Sequence, residues 1–139
     1  MVTDAYLAGL DVLASVGAER DELRNRAAEV APEFVRIAIS FTYGEIFNRP
    51  GLDLRTRMIA AVAAAVASRG STEALRQAVE SALHLGWSQR EITEAIIQTA
   101  AHAGVPVALK ALTDCHDLLT SKDPCSQSCE SAPSDTGHE

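Results

Sequence analysis

Aromatic residues are scarce in this chain: one Trp, two Tyr and three Phe among 139 residues. Its core therefore cannot rest on ring packing. Alanine supplies much of the 47% apolar fraction instead, and Ala-rich segments favour helix and let helices approach closely. Positive charge is scarce too, with 12 Lys and Arg against 19 Asp and Glu and a net charge of −7. That balance argues against nucleic acid or an anionic membrane as partner, and an anionic substrate would need local arginines. No apolar run approaches the ~18 residues of a membrane span. Asp4 stands where an export signal carries positive charge, so no such signal is expected and the expected location is cytoplasmic. The three cysteines, Cys115, Cys125 and Cys129, are odd in number, with two in a polar tail, which is no disulfide framework. A zinc site at Cys125 and Cys129 would need ligands beyond His138, so no metal is expected. Glycine-rich phosphate loops, HExxH helices and nucleophile elbows are missing, and no cofactor is expected.

What is present reads as one all-α domain over 1–121, followed by a polar tail over 122–139 without periodicity, expected to be disordered. Tyr6, Leu7, Leu10 and Leu13 recur at helical spacing in a first helix that Gly17 stops. A charged second helix over 18–30 carries Leu23 as its one large apolar residue before Val30 and reads as a surface arm. Pro32 opens a third, whose Phe34, Ile37, Ala38, Phe41 and Glu45 fall on one stripe. The helix over 54–68 is apolar nearly all round and should be central or buried in an oligomer. Gly70 stops it, and Ser71 or Thr72 caps the next helix, over 73–85, with His84 at its end. Ser88 and Glu91 form a capping box after Gly86. The helix they start carries His102 near its end, and Pro106 begins a last helix running to about Ser121. Cys115 and His116 are adjacent and do not face each other, which discounts a thiol–imidazole pair.

The stretch 41–57 carries the chemistry. Together with Phe34 just before it, it holds four of the chain's five Phe and Tyr. Glu45 and Arg49 stand four apart, which in an α-helix puts them on one face. Pro50-Gly51 ends that helix, and Asp53 is placed to cap the next. Arg57 in that first turn opposes the helix dipole, so a carboxylate partner (Glu45 or Asp53) or an anionic ligand is expected beside it. Tyr43, Ile46 and Phe47 surround Glu45 with apolar bulk, and a carboxylate between such bulk and Arg49 can move protons.

With these motifs in place, the chain resembles the carboxymuconolactone decarboxylase family over roughly residues 5–120. The resemblance is strongest from Tyr43-Gly44-Glu45 through Asn48-Arg49-Pro50-Gly51-Leu52-Asp53 to Arg57. It continues in Gly86, Glu91-Ile92, Gln98-Thr99-Ala100 and Gly104-Val105-Pro106. It implies an alkylhydroperoxidase-D-like helical bundle of about six to seven helices, assembled as a homotrimer or homohexamer. The reaction it implies is cofactor-independent loss of CO2 from a lactone carboxylic acid. Two departures stand out. Family members commonly read Glu-x-Leu-Arg-x-His where this chain has Glu73-Ala74-Leu75-Arg76-Gln77-Ala78, and His102 occupies a position usually held by Tyr. The redox branch's Cys-x-x-Cys is absent.

The resulting expectation is an enzyme for a small cyclic acid or lactone, running decarboxylation, isomerisation or cyclisation. Arg49 or Arg57 would stabilise developing negative charge. Glu45 or His102 would move the proton, and Tyr43 and Phe47 would contact the substrate. The rival is a non-catalytic small-molecule binder or assembly protein that lost its chemistry with the histidine. Convergence of Glu45 and His102 on one pocket would separate the two.

Overall fold

The computed structural model describes residues 4–121. The tail from Lys122 on, with Cys125, Cys129 and His138, lies outside the described residues. Eight α-helices follow one another: α1 (Asp4–Ser15), α2 (Glu22–Val30), α3 (Pro32–Ile39), α4 (Leu54–Ala67), α5 (Thr72–His84), α6 (Gln89–Ala103), α7 (Val105–Asp114) and α8 (His116–Thr120). Between α3 and α4 runs a π-helix, Ser40–Phe47. The all-α expectation holds. The expected count of six to seven helices falls short because one helix is divided and another changes type.

Local signals explain most boundaries. Asp53, Ser71 and Ser88 each accept a hydrogen bond from a backbone N–H in the first turn they cap, and Ser88 with Glu91 closes the full capping box. Asp21 caps α2 in the same way, so that helix starts later than its charge pattern suggests. Gly86 and Gly104 close α5 and α6 at φ 87° and 100°. The charged α2 buries none of its residues.

α4 is the central element, as its apolar circumference predicts. Met58, Val62 and Val66 are buried, and α5, α6 and α7 all pack on it. Ile92 and Ile96 of α6 and Val79 of α5 complete a core in which they are fully buried. Polar links bind these elements together. Trp87 Nε1 donates to the Arg55 carbonyl at 2.8 Å, while the Arg55 guanidinium lies 3.7 Å over the indole ring. Arg76 grips Asp117 through two bonds of 2.6 and 2.7 Å.

The last helix divides at Cys115. Arg76 Nη1 donates to the Asp114 carbonyl at 2.8 Å, and the chain restarts as α8. The Cys115 thiol is fully buried and burial pushes its pKa up, whereas His116 is exposed. His84, expected to serve a helix end, lies against Gly17, where a Cβ would come within 3.0 Å of its ring.

Candidate functional site

The third helix does not run on in α form to Glu45. At Ser40 it widens into the π-helix. The Ser40 hydroxyl donates to the Arg36 carbonyl at 2.9 Å, a back-bond that bends helices. From outside, α1 lies against the widened stretch. A Cβ on Gly44 would overlap the Ala5 carbonyl oxygen, and one on Gly9 would come within 2.8 Å of the Ile39 carbonyl oxygen. Two glycines thus let α1 and the π-helix meet backbone to backbone.

This geometry sorts the aromatic and charged residues of the stretch. Tyr43 and Phe47 turn inward against the core, their rings 5.4 Å apart and tilted by 40°. Burial raises the Tyr43 phenol above its usual pKa, Arg24 opposes that rise and Asp21 adds to it. The phenol therefore faces the α2 side. Phe41 and Glu45 turn the other way. With Ala5, Arg36, Ile37 and Ser40 they line a hollow of about 340 Å³. Glu45 is exposed at its border, so the carboxylate meets water on one side and apolar surface on the other.

Glu45 and Arg49 do not form the pair that α-helical spacing suggests: no ion pair joins them among the described residues. The π-helix ends at Phe47 and Asn48 already departs from it, so Arg49 stands beyond the helix rather than one turn along it. The Arg57 guanidinium bonds neither Glu45 nor Asp53 among the described residues. Its Nε donates to the Leu52 carbonyl at 3.0 Å and its Nη2 to the Arg49 carbonyl at 2.9 Å, stapling the turn that Pro50 and Gly51 make. Asp53 is engaged by Thr56, whose hydroxyl and N–H hold its carboxyl below the usual pKa.

The basic residue that lines this hollow with Glu45 is Arg36, whose guanidinium donates to Glu33 at 2.7 Å. Sequence reasoning passed it over. The available signal was its place four before Ser40 on the helix that carries Glu45.

His102 is exposed near the end of α6, a helix packed on α4, α5, α7 and α8. It does not line the Glu45 hollow. Its neighbours Ala103 and Gly104 line a larger hollow of about 430 Å³, between the end of α4, the start of α5 and α7. Ala78, where the resemblance anticipates histidine, is half-buried on α5 between buried Leu75 and Val79.

The pattern of the Carboxymuconolactone decarboxylase family matches residues 32–113, from the first residue of α3 almost to the end of α7. The chain belongs to the carboxymuconolactone decarboxylase family. Two curated proteins illustrate the breadth of its kinship. An uncharacterized 15.0 kDa protein of the nqo9-nqo10 intergenic region of Paracoccus denitrificans is 29% identical over 132 residues, covering 88% of this chain and 98% of that one. The 4-carboxymuconolactone decarboxylase of Acinetobacter baylyi (strain ATCC 33305 / BD413 / ADP1) is 28% identical over 109 residues, covering 77% of this chain and 81% of its own. The matched region of this carboxymuconolactone decarboxylase family chain contains both hollows' principal walls, Glu45 with Arg36 in one and the α5–α7 junction in the other. No helix of the described residues is long and apolar enough to cross a membrane.

Proposed function

We propose that the protein is a cytoplasmic, cofactor-independent acid–base enzyme acting on a small cyclic carboxylic acid or lactone, with Glu45 as its proton donor. The observation that carries this reading is the hollow that Glu45 shares with Arg36, Ser40, Ile37 and Phe41. Ile37 and Phe41 offer apolar contact to a ring, Arg36 offers a guanidinium to an anionic oxygen, and Glu45 stands where a proton could be exchanged. In decarboxylation the bond to the carboxyl carbon breaks and CO2 leaves. The electron pair passes into an enolate conjugated with the ring carbonyl, whose charge Arg36 stabilises. Glu45 in its acid form protonates the carbon and is reprotonated from water. Isomerisation or cyclisation uses the same groups without loss of CO2. Kinship with a protein named 4-carboxymuconolactone decarboxylase favours the decarboxylating form.

Self-association as a trimer or hexamer is part of the reading. Phe34, Ile37 and Phe41 are 67, 62 and 59% exposed, and apolar surface of that kind is a common mark of an interface. Arg49 and His102 line neither hollow described. His102, carried on a different helix, would act in the Glu45 step from a neighbouring copy. Mixing Glu45→Gln chains with His102→Ala chains tests this: recovery of activity in the mixture is the result expected if His102 acts across copies.

The second reading, a small-molecule binder without chemistry, is favoured by one observation: Glu45 and His102 share neither hollow, while Ala78 supplies no imidazole. Turnover decides. Wild type is expected to release CO2 from a lactone carboxylic acid and Glu45→Gln to do so at least about 100-fold more slowly, with its assembled mass unchanged. A wild type that binds such acids without converting them establishes the binder.

A further inference from the structure

The larger hollow, about 430 Å³, shares no lining residue with the Glu45 hollow and plays no part in the chemistry above. Its size falls in the range of small-molecule sites. Its floor is apolar: Val66 of α4, Leu75 of α5, and Val107 and Ala111 of α7. Its rim is charged. Lys110 reaches the Asp114 carboxylate, to which the Thr72 hydroxyl also donates at 2.9 Å. The Lys110 bond, helped by Thr72, holds Asp114 below the usual carboxylate pKa, so these two charges cancel at neutral pH.

Arg69 is different. It also lines the hollow and is exposed, and its guanidinium has neither hydrogen bond nor ion pair among the described residues. Two cations face one carboxylate, which leaves one positive charge unmatched in a chain whose net charge is −7. The backbone of Arg69 makes the residue more conspicuous. At φ 54° it is the one described non-glycine residue in the left-handed region, a conformation that disfavours an arginine and suits glycine. The neighbouring Gly70 shows no such φ. Strain accepted at a position where glycine would be relaxed fits a side chain retained for what it does.

We infer that the α4–α5–α7 hollow is a second ligand site, which takes a small monoanion with an apolar ring body, the rings on Val66, Leu75, Val107 and Ala111 and the anionic group on Arg69. The inference stands apart from the reaction assigned to Glu45.

The test uses two probes with the same ring system, 1-anilinonaphthalene-8-sulfonate and its uncharged counterpart N-phenyl-1-naphthylamine, titrated by fluorescence into the full chain. Arg69→Gly removes the guanidinium and relaxes the backbone, so its melting temperature should equal or exceed that of wild type. The sulfonate should bind this variant about tenfold or more weakly, as expected for a lost charge-assisted hydrogen bond, while the uncharged probe changes less than twofold. Val107→Trp, which fills the floor, should remove saturable binding of both probes, and Glu45→Gln should alter neither. Sulfonate affinity unchanged in Arg69→Gly, an equal loss of both probes in that variant, or no saturable sulfonate binding to wild type overturns the inference.

Discussion

The α1–π-helix contact and the junction of α5 and α6 with α7 and α8 are held together by opposite means. The first is a backbone contact. Gly9 and Gly44 bring α1 onto the π-helix so closely that no side chain fits between them. The second is a side-chain contact. Arg76 clamps Asp117 and the Asp114 carbonyl, Thr72 and Lys110 hold Asp114, and Gln89 reaches the Leu118 and Ser121 carbonyls at 3.0 and 2.8 Å. The difference shows where each half can change. The first tolerates no added atom at its contact but leaves its outer face, with Glu45, open to water. The second can lose a single polar link and remain packed around Ile92 and Ile96.

Three substitutions probe this contrast. The largest effect is expected at Gly44. Helix propensity alone predicts that Gly44→Ala stabilises by about 1 kcal/mol. Overlap with the Ala5 carbonyl oxygen predicts the opposite, a loss of about 3 kcal/mol, and urea unfolding gives the sign directly. Ser88→Ala should come next. It opens the capping box of α6 and should cost about 1 kcal/mol, read from the same unfolding curves. Asp117→Asn should have the smallest effect, since the bridge is largely exposed, and a pH-dependent one. Arg76 holds the Asp117 carboxyl down to about 2. A depressed folded-state pKa contributes stability above the unfolded pKa of about 3.9. That contribution is lost as pH falls through about 2. The stability difference between wild type and Asp117→Asn should therefore be present at pH 7 and fade between pH 4 and about 2. A difference that stays constant over that window would mean the bridge contributes nothing through its charge.

The signals legible in the sequence were local. Asp53, Ser71, Ser88 and Gly86 mark helix ends because each acts on backbone within its own turn. The apolar character of α4 sufficed to place it at the centre. What was not legible depends on distant chain. The π-helix lies against α1, which meets it at Gly44 from some forty residues away in sequence. Around it Glu45 and Arg49 form no ion pair among the described residues, Tyr43 and Phe47 turn inward, and Arg36 joins Glu45 in the lining of the hollow. At the break by Cys115, the Asp114 carbonyl accepts from Arg76 on another helix. Arg57 is explained by carbonyls of the turn before it, a partner that its unfavourable place in the helix dipole did not specify. The stripe Ile37, Phe41 and Glu45 did foretell one wall of the hollow, because side-chain spacing survived the first turn of the change in winding.

The account turns on whether the carboxyl group at the edge of the α3–π-helix hollow moves a proton. The direct measurement is CO2 released from a lactone carboxylic acid by wild type and by Glu45→Gln, compared at equal assembled mass. The account predicts release by wild type and a fall of at least about 100-fold in the variant. Equal rates in the two proteins would contradict it.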